Sequence, residues 1–176
     1  MQVIILAGGR GKRLNPMTNY IPKPLLPLGL KTVVEYQIDN ALRYGATEII
    51  LTLHYKAQLV IAYLKPKGYE VRFIVEEEPL GTAGSIKNIE NFLEPTFMIL
   101  SGDNYSEQNL SELWKYHDMK GAELTIGLVK AKDPTSYAVV KLDGNGRVVK
   151  FKEKPRKNEV FSDEVSCGMY IMNKNV

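Results

Sequence analysis

The chain has 176 residues, 44% of them hydrophobic and 24% charged, with a formal net charge of +3. That length and composition suit one globular domain with a full core, and so small a net charge makes no case for a nucleic-acid partner. One cysteine, Cys167, excludes an internal disulfide and fits a reducing cytoplasm. No stretch approaches the roughly 20 apolar residues of a membrane span, and the start, MQVIILAGG, lacks the basic region of a signal peptide.

In chain order, the apolar run Val3 to Ala7 reads as a buried strand. It runs into Gly8, Gly9 and Gly11, interleaved with Arg10, Lys12 and Arg13, and Lys23 follows between Pro22 and Pro24. No Asp or Glu precedes Glu35, so the loop is uniformly cationic. Glycines bring bare N–H groups close to a phosphate, and arginines and lysines hold its oxygens. On spacing alone, a glycine turn with solvated basic residues explains the same pattern equally well. Two familiar phosphate loops are excluded: a P-loop needs a glycine where Leu6 stands and Ser or Thr where Arg13 stands, and the dinucleotide fingerprint needs a small residue at Leu14.

Residues 32–43 show helical spacing and Gly45 is placed to cap them; 48–53 is a buried strand, 56–65 a helix ended by Pro66, and 71–75 a third strand. The run Glu76-Glu77-Glu78 reads as a solvated edge. Residues 81–93 open with small residues and continue as an amphipathic helix. A fourth strand, 96–101, ends at Gly102-Asp103; 107–119 is a helix closed by Gly121, and 123–129 a strand. DGNG (143–146) between YAVVKL and RVVKFK marks a hairpin, and 165–172 is the last apolar stretch. Strands alternating with helices predict parallel pairing with helices on both faces, and the hairpin makes the sheet mixed. Ligands of such sheets lie beyond the carboxyl ends of the strands, where the glycine loop, Gly81 and Asp103 all fall. His54 and His117 are too few for zinc or triad chemistry, with His117 expected at the surface and Cys167 as a packed thiol.

The ordered series LAGGRGKRL-NPMT, PKPLLPL, EEPLGTAGS, SGD and KEKP resembles the sugar-1-phosphate nucleotidylyltransferases over essentially the whole chain. The resemblance implies an α/β, Rossmann-like nucleotide-diphospho-sugar transferase fold across residues 1–176, with a mixed, mostly parallel central sheet. The implied reaction joins a nucleoside triphosphate and a hexose 1-phosphate, releasing pyrophosphate, with Mg2+ as cofactor. By the same resemblance, Arg13 and Lys23 are catalytic, gripping the reacting phosphates. Leu6, Ala7, Gly8, Gly9, Gly11, Gly81, Thr82 and Gly102 bind the nucleotide, and Asp103 binds the metal. Tyr137, Ala138, Glu153, Lys154 and Gly168 bind the sugar phosphate. The chain departs from the family at Tyr137-Ala138 and Ser166-Cys167, which leaves the sugar open, and the nucleobase is open too.

A sugar phosphate is already largely a dianion near neutral pH, since its second pKa is about 6. The implied chemistry therefore asks for cations and oriented N–H groups rather than a general base. The family takes a second metal aspartate from beyond the last strand, and no Asp or Glu follows Glu164 here. The chain is accordingly expected to be the N-terminal part of a longer transferase, or a shortened relative of one, with an uncovered apolar face compatible with a homo-oligomer; the expected compartment is the cytoplasm. Two alternatives stay open: a cytidylyltransferase of another phosphorylated substrate, and a regulatory subunit that binds nucleotide or sugar nucleotide without turnover.

Overall fold

A computed structural model describes residues 1–176, which divide into two compact units: Met1–Thr125 with Ile171–Val176, and Ile126–Tyr170. In the first unit β1 (Gln2–Leu6) is the central strand. It runs parallel to β4 (Glu48–Leu53) on one side and to β6 (Thr96–Ser101) on the other, and β4 pairs with β5 (Arg72–Val75). The sequence accounts for this order. Val3, Ile4 and Ile5 are fully buried, and Ile49 to Leu51 and Phe97 to Leu100 nearly so. Such unbroken apolar runs belong to parallel strands covered on both faces. Gln2, also buried, satisfies its amide by donating to Glu48 Oε2 and Phe92 O and accepting from Glu94 N–H.

Two short strands, β2 (Pro27–Leu28) and β3 (Lys31–Thr32), pair with each other and lead into α1 (Val33–Arg43). Val34, Ile38 and Ala41 are the fully buried stripe of α1. Thr32 caps it with Glu35 three residues on, and Gly45, at φ +85°, follows its last turn. Helix α2 (Ala57–Leu64) follows β4 and α3 (Gly81–Asn88) follows β5; α3 gives way to a short 3-10 turn, Glu90–Phe92, where a longer helix was expected. Helix α4 (Leu110–Lys120) starts three residues later than expected, because Asn109 caps it by accepting from Ser111 N–H.

Crossing into the second unit, β7 (Leu124–Lys130) pairs with β10 (Glu164–Asn173), whose final residues belong to the first unit. Here β8 (Ala138–Leu142) and β9 (Val148–Glu153) form the antiparallel hairpin, and β8 also pairs antiparallel with β10 at Val139–Val165. Asp143 Oδ1 accepts from the N–H groups of Asn145 and Arg147, closing the turn. The fold is α/β and Rossmann-like, with mixed strand pairing as expected.

Candidate functional site

Strands β1, β5 and β6 end on the same edge of the first unit's sheet, fixed by the parallel registers Leu6–Thr52, Leu6–Ser101 and Leu53–Val75. Beyond that edge lies a cavity of about 300 Å³. All eight residues expected at the nucleotide, Leu6 to Gly9, Gly11, Gly81, Thr82 and Gly102, line it, together with Lys23 and Asp103. Arg13 stands apart from this lining, exposed on a 3-10 turn, Lys12–Leu14.

The glycine loop is shaped in part by Thr18 and Tyr55, which the sequence did not single out. Gly11 has φ +66°, and a Cβ there would stand 3.2 Å from both Lys23 Cβ and Thr18 Cγ2. Buried Thr18 places its hydroxyl 3.1 Å from Gly11 O and 2.8 Å from Asn15 Oδ1. Tyr55 grips the loop from below. Its N–H donates to Gly8 O, its hydroxyl donates to Thr18 O at 2.8 Å, and the Arg10 guanidinium lies 5.5 Å over its ring.

Gly102 brings the β6 loop against the β1 loop. Its N–H donates to Leu6 O at 2.8 Å, and an added Cβ would stand 2.6 Å from that same oxygen and 2.7 Å from Ala7 Cβ. Next to it, Asp103 Oδ2 accepts from Lys23 Nζ at 2.6 Å, so the two oppositely charged site residues already touch. No group of three or more His, Cys, Asp or Glu side chains is arranged so that it could hold a metal ion. The exposed Asp103 carboxylate at the cavity edge fits a hard divalent cation of the kind that takes one or two protein carboxylates and completes its shell with phosphate and water.

Glu76 corrects the reading of 76–78 as a solvated edge. Glu77 and Glu78 are exposed, but Glu76 is 5% exposed and lines the cavity. Its backbone extends β5, donating to Leu53 O and accepting from His54 Nδ1. Its Oε1 is buried with no hydrogen-bond partner. The available signal was its position directly after an apolar strand.

His117 is a second correction. It is 3% exposed, with Nδ1 at 2.8 Å from the Thr125 hydroxyl and Nε2 at 3.3 Å from Asn173 Oδ1. Asn173 Oδ1 only accepts, so the proton sits on Nε2 and Thr125 donates to Nδ1. This is a structural bridge between strand ends.

The residues expected at the sugar phosphate lie in the second unit. Tyr137 O accepts from Lys154 N–H at 2.9 Å and Ala138 pairs with Glu153, so these four stand together across the start of the β8–β9 hairpin. Lys154 has φ +41°, unusual for a residue with a side chain, and its Nζ lies 3.1 Å from Glu153 Oε1. Gly168 is on β10, where its N–H donates to Ser166 Oγ. Burial pushes the Cys167 thiol pKa up, in keeping with a packed thiol.

Comparison with known proteins gives a consistent result. A mannose-1-phosphate guanyltransferase of Yarrowia lipolytica is 35% identical over the whole chain. The chain spans about half the length of the curated relatives it matches. Among solved structures, HddC from Yersinia pseudotuberculosis is 32% identical with a TM-score of 0.82, over 99% of this chain and 77% of that one. Its complex with GMP-PN matches at 31% identity with the same score and the same coverage. The family model for nucleotidyl transferases matches residues 2–176, and the chain therefore belongs to that family, the sugar-1-phosphate nucleotidylyltransferases whose motifs it carries.

Proposed function

We propose that the chain binds GTP and transfers its guanylyl group to a hexose 1-phosphate, giving a GDP-sugar and pyrophosphate. The observation that carries this reading is Glu76 in the cavity wall, whose buried Oε1 has no hydrogen-bond partner. A carboxylate only accepts hydrogen bonds. Guanine offers two adjacent donors, N1–H and the N2 amino group, on one edge. Uracil and thymine offer a single N–H between two carbonyls, while adenine and cytosine set an acceptor beside their amino group. Glu76 therefore suits guanine, and the names of the guanyltransferase relatives and of the GMP-PN complex support the choice.

In the proposed reaction a sugar-phosphate oxygen forms a bond to the α-phosphorus while the bond to the bridging β-phosphate oxygen breaks, and pyrophosphate leaves with the electron pair. Lys23, presented by the stiff Pro22-Lys23-Pro24 segment, lies against the reacting phosphates. Arg13 reaches the triphosphate from the loop and offsets charge on the leaving group. Backbone N–H groups of the glycine loop hold the phosphates, and Lys154 and Glu153 hold the sugar phosphate and the sugar hydroxyls. Asp103 would hold Mg2+, which when bound would neutralise phosphate charge.

The test is pyrophosphate release and equilibrium binding across GTP, dTTP, UTP, CTP and ATP with several hexose 1-phosphates. GTP is expected to lead. Glu76→Gln should weaken GTP by roughly 10- to 100-fold, the scale of a hydrogen bond to a charged group, while leaving UTP and dTTP within about threefold. Equal use of all five nucleotides by the wild-type chain would refute the guanine reading. Binding without pyrophosphate release would favour the regulatory alternative.

A further inference from the structure

The loop that carries Asp103 is held from one face of α1. The Gln37 side-chain amide donates both of its hydrogens, one to Ser101 O and one to Asn104 O, each at 2.6 Å. Those two carbonyls bracket Gly102-Asp103. Three residues further along α1, Asn40 Nδ2 donates to Gln108 O at 3.2 Å. The Tyr36 ring meets Tyr105 edge-on, with centroids 5.1 Å apart. At its start the same helix fixes the segment after Lys23, since Val33 N–H donates to Leu26 O. One rigid element therefore sets both partners of the Lys23–Asp103 pair.

Gln37 is 6% exposed, and its Oε1 has no partner. Turning the amide over would aim that oxygen at two carbonyls, so the two donated bonds fix its orientation. An apolar side chain of similar size would avoid the orphan acceptor, yet it would leave Ser101 O and Asn104 O without this donor. The residue's hydrogen bonds thus go to the shape of the Asp103 turn rather than to its own satisfaction.

We infer that Gln37 is a positioning residue, holding the Ser101–Asn104 turn so that the Asp103 carboxylate meets the cation of an incoming nucleoside triphosphate. The inference rests on the reading of Asp103 as the magnesium carboxylate. It assigns to a buried glutamine of α1 a share in metal-dependent nucleotide binding without any contact to the nucleotide.

The test uses the whole chain and measures GTP binding by calorimetry with Mg2+ and with EDTA, beside hydrogen exchange over residues 101–105. Gln37→Leu is compared with wild type, with Asp103→Asn and with the double variant. In Gln37→Leu the Mg2+-dependent gain in GTP affinity should fall about tenfold, as expected for two lost neutral hydrogen bonds, while affinity in EDTA stays within about twofold and exchange over 101–105 speeds up. In the Asp103→Asn background, adding Gln37→Leu should change affinity by no more than about twofold. A gain that survives intact in Gln37→Leu, or additive effects in the double variant, would overturn the inference while leaving Asp103 as the metal ligand. A wild-type chain whose GTP affinity ignores Mg2+ would overturn the Asp103 reading and the inference with it. Should Gln37→Leu fail to fold, Gln37→Met, equally without a donor but more adaptable, takes its place under the same criteria.

Discussion

Gly102 shows how tightly single residues constrain this site. A methyl group there would stand 2.6 Å from a backbone oxygen of β1, which has nowhere to go within a paired strand. Gly102→Ala should cost about 1–3 kcal/mol in urea unfolding, the usual scale of overpacking, and should weaken nucleotide binding because Leu6 and Ala7 line the cavity. An unfolding midpoint equal to wild type would show that the loop yields where this packing says it cannot. The motif residues around this position were legible in the sequence, since glycines and flanking cations carry their chemistry in their identity. Glu76, Gln37, Tyr55 and His117 were not. Three of them are polar residues whose partners lie far along the chain, as Tyr55 has Gly8 and Thr18, Gln37 has Ser101 and Asn104, and His117 has Asn173, while Glu76 is buried with its Oε1 unpartnered. Polarity alone gave Glu76 and His117 to the surface, and nothing in the sequence singled out Gln37 or Tyr55.

Among the elements, α1 is the most heavily used. Its apolar positions at 34, 38, 41 and 42 were visible as a period that sufficed to place the helix, although Leu42 is exposed and only the first three are buried. The polar work of the other faces was hidden, because a Gln or Asn on a helix reads as solvated until its carbonyl partners are known. At the N-terminus the Glu35 carboxylate is pushed up by burial, but its bonds from Thr32 N–H and hydroxyl, Lys67 and Tyr63 outweigh this and bring its pKa down to about 2. The folded value is depressed, so the stabilisation is complete above the unfolded pKa, near 4.5, and is lost as pH falls toward the folded one. The urea midpoint should therefore drop steeply between about pH 5 and about pH 2.5, and Glu35→Gln should lower the midpoint at neutral pH and flatten that slope. An unchanged slope in the variant would assign the acid sensitivity to other carboxylates.

For the molecule as a whole, the sequence conveyed the succession of strands and helices and the mixed pairing, because apolar runs and the DGNG turn encode them locally, but not the order of strands in the sheet. The division into two units at Thr125 and Tyr170 left no trace, since no linker, composition shift or glycine tract marks it and both boundaries fall inside strands. The proposed roles divide the same way, with the nucleotide residues in the first unit and Glu153 and Lys154 in the second. Lys154→Ala should accordingly raise KM for the sugar 1-phosphate by roughly 10- to 100-fold, the loss of a charge-assisted contact, and change KM for GTP by less than about twofold. Steady-state kinetics with each substrate varied in turn decides it, and matched increases in both constants would count against a dedicated sugar-phosphate role.

The contact between Lys23 and Asp103 also bears on how fast a ligand arrives. Two opposite charges 2.6 Å apart present little field beyond their own diameter, so the pair is nearly silent to a polyanion still in bulk water. Arg10, Lys12 and Arg13 are exposed on the neighbouring loop, and their field extends outward to about a Debye length. On the proposed reading, capture of the triphosphate draws on the loop cations, and its rate should fall as salt screens them. Under the proposed roles, Lys23 and Asp103 would act only after arrival, once bound phosphates compete for the pair, so that diffusion and commitment to the site would be governed by different charges.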